Sequence, residues 1–167
     1  MQKTVSTKAL FAALGHARTR ADRWISDGDF TPVNKPEAGK TRVWTEQDAA
    51  RIECLFRLVD SGVNVKVGRA ISHLFTHWNT STFLVVQAHE RNVVHREKNK
   101  HGGWTQVDEG HHFIGHIVRR EELMEHVQPP QEYGVRATFI IDLDDVRDDI
   151  DRAFKLAIRL DDGEEAK

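Results

Sequence analysis

The chain has 167 residues, 39% hydrophobic and 30% charged, with one cysteine, Cys54. That mix supports a folded core and excludes a wholly disordered polymer; one thiol excludes internal disulfides, cysteine zinc fingers, C-x-x-C redox centres and multi-cysteine iron–sulfur sites. The net charge of −2 is uneven, since residues 1–75 carry 12 Lys and Arg against 8 Asp and Glu while residues 76–167 carry 12 against 18, which points to a polyanion as partner of the first part only.

Residues 4–28 are expected to form two short helices. Val5, Ala9, Leu10, Ala13 and Leu14 recur at helical spacing, with Thr4 or Ser6 as N-cap and Gly15 as terminator. A second helix over about 17–27 would bury Ala21, Trp24 and Ile25 and stop at Gly28. Two helices about a glycine turn form the helix-turn-helix pattern. Phe30-Thr31-Pro32-Val33 is expected to be extended, because proline disfavours helix for itself and its predecessor. Thr41-Arg42-Val43-Trp44 alternates like a strand, and the polar turn between the two segments suggests a hairpin, or wing. Thr45-Glu46-Gln47-Asp48 fits a capping box ahead of the stripe Ala49, Ile52, Leu55, Phe56 and Val59. A fourth helix is expected over about 65–74, with Val67, Ala70, Ile71 and Leu74 inward.

Beyond residue 76 the pattern changes. Strand-like runs fall at 82–86, 92–96, 104–107, 113–118 and 136–141, and Gly102-Gly103 marks a hairpin turn. A small antiparallel sheet is expected, while 121–127 reads equally as short helix or strand. In the last zone Leu143, Val146, Ile150, Ala153, Ala157 and Leu160 are spaced 3, 4, 3, 4, 3, an a/d seam suited to a dimerising helix. Phe154 and Ile158 widen that stripe, which suits a helix packed on its own sheet instead. Asp142, Asp144 and Asp145 lie at the helix start, where the dipole favours negative charge.

The order helix, Gly15 turn, helix ending at Gly28, Pro32, the return Gly39-Lys40-Thr41-Arg42-Val43-Trp44 and the capped Thr45-Glu46-Gln47-Asp48 resembles the MerR superfamily of winged helix-turn-helix DNA-binding proteins. Arg23-Trp24-Ile25 followed by Gly28 is similar to the recognition helix of excisionase-type domains. The likeness covers residues 4–75. Where MerR regulators carry Arg-Tyr-Tyr or Arg-Tyr-Trp, this chain has Asp22-Arg23-Trp24.

The expected fold is therefore α+β: a MerR-like winged helix-turn-helix at 4–75, an α+β sensor or oligomerisation unit at 80–160 that includes the amphipathic helix 144–160, and an acidic tail at 161–167. In the DNA-binding reading His16, Arg18, Thr19, Arg20 and Arg23 reach the major groove, where arginine pairs bidentately with guanine. Lys35, Lys40 and Arg42 on the wing contact phosphate. Leu143, Val146, Ile150, Ala153, Ala157 and Leu160 hold a homodimer on symmetric or repeated sites. Trp24 and Trp44 are expected in the core.

No nucleophile elbow, phosphate loop or H-E-x-x-H is present, so an enzyme is not expected. His101, His111, His112, His116 and His126 show no metal-ligand spacing, and neither metal nor cofactor is expected. No run reaches the roughly 18 apolar residues of a membrane span, and Met1-Gln2-Lys3-Thr4 leads into no apolar segment. The expectation is a cytoplasmic, nucleoid-associated bacterial regulator with duplex DNA as partner and a small-molecule effector or protein partner for its second part. The alternatives are an architectural, recombination-directionality protein and a protein-interaction adaptor.

Overall fold

Local chemistry brackets the first helix. Ser6 is extended and its Oγ accepts the Ala9 N–H at 3.2 Å, capping α1 (Thr7–Leu14). Gly15 follows at φ 72°, and its N–H closes on the Ala12 carbonyl; a side chain there would be strained by the left-handed backbone. α2 (Arg18–Ser26) starts from Ala17, which offers no side-chain cap, and buries Ala21 and Trp24. The computed structural model describes residues 3–33, 42–67, 82–89, 94–98, 104–108, 112–127 and 135–163.

The strand partner expected for residues 41–44 is corrected. β2 (Val43–Thr45) pairs antiparallel with β1 (Thr4–Ser6), Val5 lying opposite Trp44. Residues 30–33 form no strand. Pro32 has no N–H to offer a ladder, and the Val33 N–H donates to the Asp48 carboxylate at 3.0 and 3.1 Å. The segment expected to turn, with Lys35 and Lys40, lies outside the described residues. Val5 thus belongs to a strand rather than to the first helix.

Trp44 is fully buried, edge-on to Phe11 at 5.3 Å, and its Nε1–H donates to Thr7 Oγ1 at 3.0 Å. α3 (Glu46–Asp60) begins where Thr45 Oγ1 accepts the Asp48 N–H. Asp48 does not complete a capping box. Its carboxylate holds Val33 and, at 3.0 Å, the Arg51 guanidinium. Burial pulls the Arg51 pKa down more than Asp48 lifts it. Val67 is buried, and the remainder of the expected fourth helix lies outside the described residues.

In the second part β3 (Phe83–His89) is the centre of a three-stranded antiparallel sheet, flanked by β6 (His112–Val118) and β7 (Val135–Asp142). Between β3 and β6 in the chain, β4 (Val94–Lys98) and β5 (Trp104–Asp108) form a separate antiparallel pair. Strand alternation divides the apolar residues between two faces. Leu84 and Val86 join Ile117, Phe139 and Ile141 in the main core, whereas Phe83, Val85 and Val118 form a second cluster with Leu123. Leu123 opens the short α4 (Leu123–Val127), which follows a 3-10 turn at Arg120–Glu122.

α5 (Leu143–Asp161) is capped by Asp142, whose Oδ1 accepts the Asp144 N–H at 2.9 Å. Its apolar stripe faces the chain's own core, where a dimer seam was expected. Leu143, Val146, Ile150, Ala153 and Ala157 are buried within the chain, and Leu160 packs partly buried on the same core. α5 lies against α1, α3 and β1 as well as the sheet. The physical reason is width: Phe154 is buried and Ile158 partly so, giving a broad core-facing stripe rather than a narrow seam.

One core runs from Val5 and Phe11 through Leu55 and Phe56 to Leu84 and Ile150, so packing crosses the boundary expected between separate units. Nor is Asp161 part of a tail. It is the last residue of α5, and its carboxylate accepts the Ser6 N–H at 2.8 Å and the Ser6 hydroxyl at 2.6 Å. The architecture is α+β, and among the described residues no helix is long and apolar enough to cross a membrane.

Candidate nucleic-acid interface

α2 has one face fixed and one face free of the core. Ala21 and Trp24 point inward, so the opposite face of a 3.6-residue helix carries Thr19, Arg23 and Ser26. All three are exposed, and the Arg23 side chain is 82% accessible. Arg18 lies on one flank with its side chain 57% accessible. Arg18 Nε donates to Asp22 Oδ2 at 3.0 Å, and Arg23 Nε lies 3.5 Å from Asp27 Oδ2. Each is an exposed pair one turn apart, of a kind that contributes only tenths of a kcal/mol to stability.

Two other expected contact residues, His16 and Arg20, lie against Phe56 rather than on that outer face. His16 stacks on Phe56 with ring centroids 3.9 Å apart and planes 3° from parallel. Its Nε2 lies 2.7 Å from Glu53 Oε2, and its side chain is only 22% accessible. The Arg20 guanidinium sits 4.9 Å from the Trp24 ring centroid and 5.1 Å from that of Phe56, and pairs with Asp60 at 2.6 Å. The aromatic surface of Phe56 draws both side chains away from the outer face. Both contacts tie the start of α2 to α3. Arg42 is half-buried beside β2, with its carbonyl accepting the Thr7 hydroxyl and its Nε enclosed without a partner among the described residues. Lys35 and Lys40 lie outside the described residues.

Behind His16 runs an ion-pair chain that the sequence did not single out. Glu53 is 8% accessible and takes His16 on one oxygen and Arg57 Nε, at 2.9 Å, on the other. Burial raises the Glu53 pKa, but the hydrogen bonds and charges of His16 and Arg57 outweigh it and leave the carboxyl below its ordinary value. Arg57 also bonds Asp149 of α5, which in turn bonds Arg152. Only the docking of α5 on α3 brings Asp149 to Arg57. Glu53 and Arg57 were findable as an i, i+4 pair flanking the apolar stripe, and Ser26 as the i+7 companion of Thr19. A cavity of about 330 Å³ opens beside the chain of charges, between α1, α3 and α5, with Leu14 and Leu156 among its apolar walls.

The histidine-rich segment is only partly within view. His116 and His126 stack obliquely at 4.7 Å, and Gln87 donates to the His126 carbonyl. Burial, then the neighbouring His126, lowers the His116 pKa. His101 and His111 lie outside the described residues, and among those described no group of three or more His, Cys, Asp or Glu is placed to hold a metal. Cys54 is buried and its thiol is pushed far up by burial, the opposite of a reactive thiolate.

The chain matches no protein-family model and no curated protein.

Proposed function

We propose that this chain is a sequence-specific duplex-DNA-binding regulator that reads DNA with the outer face of α2. The observation that carries the reading is the division of labour on that helix. His16, Arg20 and Trp24 fix it to α3 through Phe56, while Arg18, Thr19, Arg23 and Ser26 stand exposed. A short helix held rigidly by its inner face, with cations and hydroxyls on its outer face, suits entry into a major groove about 12 Å wide. The glycine turn at Gly15, the uncapped start of α2 and the basic balance of residues 1–75 support the same reading. So does the resemblance to the MerR superfamily, whose winged helix-turn-helix arrangement is part of the proposal for residues 4–75.

Reading of symmetric or repeated sites by a homodimer requires a surface other than the α5 seam, which the chain's own core occupies. The test is selection of duplexes from a randomised library by the full chain at about 150 mM salt, where non-specific attraction is much screened. Enrichment of a defined motif that Arg23→Ala fails to enrich supports the reading. Binding only at low salt, with no preferred sequence, contradicts it and favours a protein-interaction adaptor. Enrichment of several sites that the protein bends, without effect on a promoter, favours the architectural alternative.

A further inference from the structure

The arginines of this chain divide into two kinds by the nitrogen that their acidic partner takes. Among the described residues Arg20 and Arg51 engage Asp60 and Asp48 through NH1, and Arg147 and Arg152 engage Asp144 and Asp149 through NH2. Arg57 uses both Nε and NH2. Arg18 donates through Nε to Asp22 Oδ2 at 3.0 Å, and the nearest approach of Arg23 to Asp27 is Nε to Oδ2 at 3.5 Å. Neither side chain donates a hydrogen bond from a terminal nitrogen among the described residues. The two terminal nitrogens are the fork that matches the O6 and N7 of guanine.

We propose that Asp22 and Asp27 are positioning residues that hold Arg18 and Arg23 as bidentate guanine readers, so that the sites this chain selects carry guanine at two separate positions. The inference rests on the DNA-binding reading above and names what that surface recognises. Two physical points support it. A carboxylate on Nε restrains the long side chain while leaving its reading edge open, which reduces the ordering cost of base contact. The same carboxylate also repels phosphate. A helix serving only to grip the backbone is weakened by Asp22 and Asp27, since that sequence-independent attraction scales with positive charge. A helix serving to read base edges gains discrimination from them, because they disfavour phosphate contacts that carry no sequence information. On a helix of 100° per residue Arg18 and Arg23 project about 140° apart, so they reach different base pairs.

The experiment is parallel selection from a randomised duplex library, at about 150 mM salt, with the full chain and with Asp22→Ala and Asp27→Ala. Titrations on the selected duplex and on copies with single guanine-to-adenine changes follow. Both carboxylates are exposed, so equal unfolding midpoints serve as the fold control. The expected result is a wild-type motif with two discriminating guanines. Asp22→Ala then loses about twofold of the guanine preference at one of them, Asp27→Ala loses a similar factor at the other, and affinity for unselected duplex stays level or rises. Arg18→Lys, which keeps the charge and removes the fork, is expected to lose the same guanine as Asp22→Ala. Variants that select both guanines with undiminished ratios overturn the positioning role while leaving DNA binding intact. A wild-type chain that enriches no motif removes the reading on which the proposal stands.

Discussion

Ile150→Ala is the sharpest probe of how the chain uses its last helix. Ile150 is 1% exposed and belongs to the core shared by α1, α3 and the sheet. Loss of three carbons at ~0.8 kcal/mol each gives ~2.4 kcal/mol. The cavity left at a site enclosed by several elements raises the cost, within the ~2–5 kcal/mol seen for Ile→Ala in cores. We expect about 3 kcal/mol. For a domain of this size each kcal/mol lowers the melting temperature by roughly 2–4 °C, so the midpoint should fall by about 6–12 °C. The assay is thermal unfolding by circular dichroism, repeated over about a hundredfold range of protein concentration. An intrachain core predicts the same drop at every concentration, because Ile150 then belongs to no subunit interface. A loss below about 1 kcal/mol, or a wild-type midpoint that climbs with concentration while the variant's does not, would falsify the intrachain packing and restore the seam as a dimer interface.

Three further outcomes follow from the site. Arg20→Ala removes a cation–aromatic contact and an ion pair and should cost about 1–2 kcal/mol in denaturant unfolding, whereas Arg23→Ala should leave stability level and weaken binding to a selected duplex about tenfold in anisotropy titrations. The lowered His116 pKa means that the folded protein binds fewer protons than the unfolded chain as pH drops past about 6.5; stability present above that pH should decline below it, and unfolding midpoints of His116→Gln should show a shallower decline. The lowered Glu53 pKa has its effect further down. Its stabilisation is complete above the ordinary carboxyl value near 4.3 and is lost as pH falls through the depressed folded value, so Glu53→Gln should unfold more readily at neutral pH and show a flatter acid limb.

What the sequence disclosed was what neighbouring residues decide. The Ser6 cap, the left-handed Gly15 and Gly28 and the Thr45 cap each depend on chemistry within a few positions, and all were readable. So were the antiparallel strands of the second part, apart from their order about β3. The pairing of Thr4–Ser6 with Val43–Thr45 was not readable, because two three-residue strands some 40 positions apart leave no periodicity, and Val5 fits a helical stripe equally well. His16 and Arg20 looked like groove contacts because nothing near them in sequence says that Phe56 will lie beneath them. The α5 stripe was legible as an apolar face, and Phe154 already hinted that the face was wide. Its partner became evident only when α1 and α3 were seen against it. Of the candidate site, Arg18, Thr19 and Arg23 were singled out and are exposed, whereas the Glu53–Arg57–Asp149 chain was missed, since its two halves lie 92 residues apart.

The central claim is that the outer face of α2 meets DNA. The most direct measurement is a two-dimensional amide NMR titration of the full chain with a duplex recovered by selection, at about 150 mM salt to suppress non-specific contacts. The account predicts the largest shifts at Arg18, Thr19, Arg23 and Ser26, small ones at the inward Ala21 and Trp24, and their loss when the duplex is scrambled. Shifts concentrated on the sheet or on α5, with the α2 amides unmoved at saturation, contradict it.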